Sequence, residues 1–180
     1  MMLRTVQVAT LFLVPTCLLS PAKAIDIISN FPSNDQIASD IDPTFSKAMG
    51  FTMPSGVPYT LSGATVSLFV EDLGAQTAWT FDLFADASGN PDLAMPLVSL
   101  SLPSLALGDA NVVLTPTSSF TLQPNTTYWL VGGSSSSTSF GGWNRNDPSK
   151  TPTDLALSAG ARSGNPPLNA NLFFNSYSIG

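Results

Sequence analysis

The sequence predicts an all-β fold: a two-sheet antiparallel β-sandwich with jelly-roll-like connections. Three observations lead there. Beyond residue 24 no stretch sustains an amphipathic helical period over three turns. Apolar and polar residues alternate with period two in several short runs, and those runs are bounded by Gly, Pro, Asn, Asp and Ser. Eight or so strands at this spacing fit a sandwich, and a closed barrel is the competing architecture.

Taken in order, residues 1–24 read as a secretory signal peptide. Arg4 supplies a short positive region, an apolar stretch runs from Val6 to Leu19, and Ala22-Lys23-Ala24 has small residues at the cleavage position. The stretch is too short and too interrupted by Pro15 and Pro21 to span a bilayer, which takes about 20 apolar residues. Cys17, preceded by Pro15-Thr16 and followed by Leu18-Leu19, reads as filler of that apolar stretch and not as an acylated lipoprotein cysteine. Residues 25–180 remain as one domain, with a single core as the default for this length.

Within it, residues 30–44 are rich in polar and turn-forming types and are expected to form a long surface connection or a loosely attached first strand. A strand is expected at Phe51–Met53. In Ala64–Val70 the residues Ala64, Val66, Leu68 and Val70 share one face, opposite Thr65 and Ser67. In Trp79–Leu83, Trp79, Phe81 and Leu83 point inward, opposite Thr80 and Asp82. Residues 86–91 turn the chain, since Gly89 tolerates positive φ and Pro91 cannot join a central ladder. Further strands are expected at Val98–Leu102, Val112–Leu114, Thr127–Val131 and Leu172–Tyr177, several of them enriched in β-branched and aromatic residues. Residues 132–139, Gly-Gly followed by Ser and Thr, read as a flexible loop inside the domain. Tyr128 and Trp129 are neighbours, so in a regular strand one of them faces away from the core, to be covered by that loop or to meet a partner.

Composition excludes more than it names. Histidine is absent and the single cysteine lies in the leader, so Ser-His-Asp and Cys-His catalysis and histidine-based metal sites are not expected. The domain carries four basic residues, Lys47, Arg145, Lys150 and Arg162, against twelve acidic ones, a net charge of −8, which opposes binding to nucleic acid or anionic membrane. No basic residue occurs between Lys47 and Arg145, a stretch that holds Glu71, Asp72, Asp82, Asp86, Asp92 and Asp109.

The series Asn30-Phe31, Phe51-Thr52, Tyr59-Thr60-Leu61, Phe81 to Asp86 with Gly89 and Pro91, the run Leu122-Gln-Pro-Asn-Thr-Thr-Tyr-Trp-Leu-Val131, and Trp143 resembles the choice-of-anchor R type of bacterial surface domain across nearly the whole of residues 25–180. The run Leu122–Val131 is its most specific element. The resemblance implies a secreted bacterial protein without assigned enzyme activity, often attached to the envelope by a C-terminal sorting segment of the PEP-CTERM kind. The sequence stops at Ser178-Ile179-Gly180 without such a segment, so the expectation is a released member or a chain cut at the domain edge.

Three candidate sites follow. Acidic pairs drawn from Glu71, Asp72, Asp82 and Asp86 have the residue type for glycoside hydrolysis, but their spacing is equally that of solvent-facing acids, and no enzyme activity is expected. Asp86, Ser88, Asn90 and Asp92 place oxygen-bearing side chains at every second position and are the candidate ligands for calcium. However, the glycine falls fourth instead of sixth and Leu97 stands where an EF-hand has Glu, so the competing reading is a turn rich in Asx residues; no other cofactor is expected. Trp143, with Asn144, Arg145 and Asn146 beside it and Gly141-Gly142 before it, is the candidate carbohydrate-binding face, against the alternative that Trp143 fills the core. The function these features indicate is a secreted, non-enzymatic module, extracellular or at the cell surface, with structural or adhesive action. Its expected partners are extracellular polysaccharide or envelope proteins, and the alternative function is a carbohydrate-binding module.

Overall fold

The computed structural model describes residues 25–33, 35–73, 77–136, 141–171 and 173–180. They form fifteen strands: β1 (Ile28–Ser29), β2 (Asp35–Ile37), β3 (Ser46–Thr52), β4 (Tyr59–Thr60), β5 (Ala64–Val70), β6 (Trp79–Ala85), β7 (Val98–Ser101), β8 (Gly108–Pro116), β9 (Thr121–Leu122), β10 (Thr127–Ser134), β11 (Gly141–Trp143), β12 (Arg145–Asp147), β13 (Leu157–Gly164), β14 (Asn169–Asn171) and β15 (Tyr177–Ile179). The domain is all-β, as the alternation requires. In β5 the even-numbered residues Ala64 to Val70 are buried, and in β6 Trp79, Phe81 and Leu83 are buried on one face.

One long antiparallel sheet runs in the order β1-β15-β5-β8-β7-β6-β10-β3-β13-β14, with β11 lying on β5 at the edge that β15 also uses. The sheet curls at β8. Its residues Gly108–Leu114 pair with β5, while Thr115 and Pro116 pair with β7. The two halves therefore face each other as the layers of a sandwich. Val66, Leu68, Leu114 and Tyr177 from one half share a single core with Phe51, Phe81, Leu83 and Leu130 from the other. Phe81 of β6 meets Trp143 of β11 edge-on, with ring centroids 5.4 Å apart. Two short pairs, β2 with β12 and β4 with β9, form separate two-stranded sheets.

Strand β10 is buried on both faces, which explains its unbroken apolar run Tyr128–Val131. Tyr128 and Leu130 enter the main core, whereas Trp129 and Val131 form a second cluster with Ala48, Phe84 and Leu168 on the outer side. Of the two neighbours, one of which was expected to face away from the core, it is Trp129 that does so, and it is still 0% exposed. Its ring lies against Gly50 of β3, where an added Cβ would stand 2.8–2.9 Å from three ring atoms, so only glycine fits beneath it. Asp86 of the turn after β6 and Arg162 lie against the ring.

Several expectations are corrected. β3 begins at Ser46, five residues before the expected strand, and β13 was not expected, since Lys, Gly and Ala have low strand preference and packing decided instead. Residues 30–44 are more than a surface connection: Asn30 and Ile41 are fully buried, and the Asn30 side chain accepts from Tyr177 N and donates to Asn175 O, both at 2.8 Å. Gly132–Ser134 continue β10 as ladder residues paired with β6, and residues 137–139 of the expected loop lie outside the described residues. The last strand is Tyr177–Ile179, later than expected.

Candidate functional site

Trp143 is not a stacking face for sugars. It is 0% exposed, packs edge-on against Phe81 and Tyr177, and donates its Nε1–H to Ser176 O at 2.9 Å. A ring of this size recovers most free energy when buried and its one donor is satisfied, so the core takes it. The small residues before it admit the chain's own backbone in place of a ligand: Gly142 lies against Ser39 and Asp40. Asn144 and Asn146 are buried as well, and Asn144 Nδ2 donates to Ser67 Oγ at 3.2 Å and Asp109 Oδ1 at 2.8 Å. Of the four proposed sugar-binding residues, Trp143, Asn144 and Asn146 are buried and Arg145 lines a cleft.

Three of the candidate calcium ligands, Asp86, Asn90 and Asp92, accept hydrogen bonds from within the protein. Asp86 Oδ1 accepts from Trp129 Nε1 at 2.7 Å and Asp86 Oδ2 from Gly89 N at 3.1 Å. Asn90 Oδ1 accepts from Arg162 Nε at 2.9 Å, Asp92 Oδ1 accepts from Ala94 N at 3.2 Å, and Ser88 sits at φ 55° in the turn. Arg162 also donates to Gly89 O at 2.7 Å, with its guanidinium 5.1 Å over the Trp129 ring. The turn thus holds Trp129 and a guanidinium, and the positive charge of Arg162 disfavours a metal ion beside it. Among the described residues no group of three or more acidic or thiol side chains is placed to hold a metal. The acids considered for hydrolysis are spread likewise, with Glu71 and Asp72 after β5 in one layer and Asp82 and Asp86 on and after β6 in the other.

The residues that do converge lie at the end of the sandwich beside β3. Period two places Lys47 on the same face as Met49 and Phe51, so its side chain points between the layers and is only 3% exposed. Segment 38–45 crosses this end, held by Ile41 in the core and by Trp143 N donating to Ser39 O at 3.0 Å. β12 brings Arg145, and the inner faces of β13 and β14 bring Ser163 and Asn171. Together with Asp40, Asp42 and Phe45 these residues line an open cleft of about 450 Å³. The two basic residues that bracket the acidic stretch of the sequence meet here in space.

The electrostatics of the cleft are unusual. Among the described residues no oxygen accepts a hydrogen bond from Lys47 Nζ or from the Arg145 guanidinium, whose Nε is buried without a partner. Each charge instead rests on a ring, Lys47 over Phe45 and Arg145 over Phe173, both at 4.1 Å. Desolvation lowers the Lys47 ammonium to about 8. The negative charge of Asp40 opposes that shift, Arg145 adds to it and Asp42 opposes it. Asp42 Oδ1 accepts from both Thr44 N and Thr44 Oγ1 at 2.7 Å, which fixes its carboxylate.

Lys47 therefore gives stability a pH dependence of known sign. Below pH 8 both folded and unfolded states carry the ammonium and the cost of burying it is fully present. From about pH 8 toward the ordinary value of 10.5 the folded state sheds its proton first, the unfolded state binds more protons, and stability rises. Burial pushes the Tyr177 hydroxyl upward, so stability falls again above the ordinary value of 10.0 as the unfolded phenol ionises. Urea unfolding of the wild type is expected to show a rise between pH 8 and 10, and Lys47→Met to lack that rise while keeping the fall above it. A flat wild-type profile between pH 8 and 10 would contradict the buried-ammonium assignment.

Comparison with protein-family models, with curated proteins and with solved structures finds no match to this chain.

Proposed function

We propose that this chain is an exported, non-enzymatic β-sandwich module of a bacterial envelope or extracellular matrix, of the choice-of-anchor kind, that acts by adhesion or matrix assembly. The observation that carries the reading is the cleft beside β3. It presents fixed polar groups and two cations from which, among the described residues, no oxygen accepts, which is equipment for holding a polar partner. Two of the carboxylates outside the cleft are tied to the fold, Asp86 accepting from Trp129 and Asp109 from Asn144. The leader-like residues 1–24 and the run Leu122–Val131 support export and the family reading.

Two measurements test it together. Residues 1–24 fused to a reporter enzyme are expected to carry it out of the bacterial cytoplasm with cleavage after Ala24, and the purified protein is expected to be retained on immobilised extracellular polysaccharide without shortening it. A reporter that stays inside, or a polysaccharide that is degraded, would overturn the reading.

A further inference from the structure

We infer that the cleft beside β3 binds a carboxylate-bearing sugar, a uronic acid unit of an acidic polysaccharide, with its carboxylate between Lys47 Nζ and the Arg145 guanidinium. This rests on the adhesive reading and names its ligand. Lys47 is nine-tenths buried and more, lines the cleft, and among the described residues gives its hydrogens to no acceptor; Arg145 lines the same cleft with a buried Nε that is likewise without one there. Asp40 and Asp42 match the two cations in number, yet among the described residues neither cation is hydrogen-bonded to them, and each rests on an aromatic face with donors left for a ligand. A guanidinium fork and a neighbouring ammonium match the geometry of a carboxylate.

The rest of the lining selects the class further. Asp40 and Asp42 equal the two positive charges in number, so a monoanion suits the cleft better than a doubly charged phosphate. Their carboxylates accept from hydroxyl groups, while Ser163 and Asn171 both donate and accept, a set that suits a ring bearing several hydroxyls. Phe45, 38% exposed, adds an apolar edge. A cleft of about 450 Å³ is in the range of small-ligand sites and leaves room for one sugar unit, with the polymer leaving through the open mouth.

Isothermal titration calorimetry of the purified protein with galacturonate trisaccharide tests this, with the neutral galactose trisaccharide and sodium acetate as the other arms. Binding is expected for the acidic sugar alone. Lys47→Met and Arg145→Gln are each expected to weaken it by about tenfold or more with unchanged circular dichroism, the loss typical of a charged hydrogen bond. No heat with the acidic trisaccharide at millimolar concentration, equal binding of acetate or of the neutral sugar, or wild-type affinity in both variants would overturn the inference. Retention on other extracellular polymers together with any of those results would leave the adhesive reading standing and remove only this ligand.

Discussion

Trp143→Ala is expected to lower the unfolding free energy by about 3–5 kcal/mol, the range for deleting a large buried aromatic side chain. Trp143 is the joint between the layers: it is carried by β11 on the β5 side, its ring meets Phe81 from the opposite layer, and its Nε1–H donates to Ser176 O. Alanine would leave a cavity bounded by strands that cannot collapse independently, and would leave the Ser176 carbonyl without this donor. Urea unfolding followed by tryptophan fluorescence and circular dichroism measures the loss. A loss under about 1 kcal/mol would mean that the ring does not pack between the layers.

Gly142→Ala is expected to destabilise by about 1–3 kcal/mol and to weaken ligand binding at the same time. A Cβ there would overlap Ser39 O, stand 2.6 Å from Ser39 C and 3.0 Å from Asp40 N. These are backbone atoms, so segment 38–42 has to move as a unit. That movement draws Ile41 from the core, takes Asp40 and Asp42 out of the cleft and opens Lys47 to water. Limited proteolysis is expected to cut the variant faster within residues 38–45 than the wild type. Unchanged cleavage with unchanged stability would show that the segment is not seated on β11.

The fold class was legible because period-two alternation in Ala64–Val70 and Trp79–Leu83 is a direct consequence of burial on one face, and β5 and β6 bury those faces. Strands made of small or charged residues were not legible. Ser46-Lys47-Ala48 and Ala159-Gly160-Ala161 have no intrinsic strand preference and are held by pairing with their neighbours. The turn at residues 86–92 was correctly placed, but its acids serve Trp129 and its own backbone, since side-chain composition is the same for an Asx turn and a calcium loop and only the position of distant partners decides.

The cleft was hidden for a different reason. Its members come from four distant segments, and a lysine in an acidic chain reads as a surface charge. One signal was present: Lys47 stands two and four residues before Met49 and Phe51, in phase with the core face of its strand. Arg145 was singled out, though for its neighbourhood to Trp143; it belongs to the cleft and Trp143 to the core.

A ligand role for Lys47 requires that its burial be kept at the expense of stability. Urea unfolding at pH 7 of wild type and Lys47→Met, each with and without galacturonate trisaccharide, tests it most directly. The variant is expected to be the more stable of the two without ligand, by about 1 kcal/mol, because methionine fills the site without a charge to desolvate. The trisaccharide is expected to stabilise the wild type more than the variant. A variant less stable than the wild type, or one stabilised equally by the trisaccharide, would contradict it.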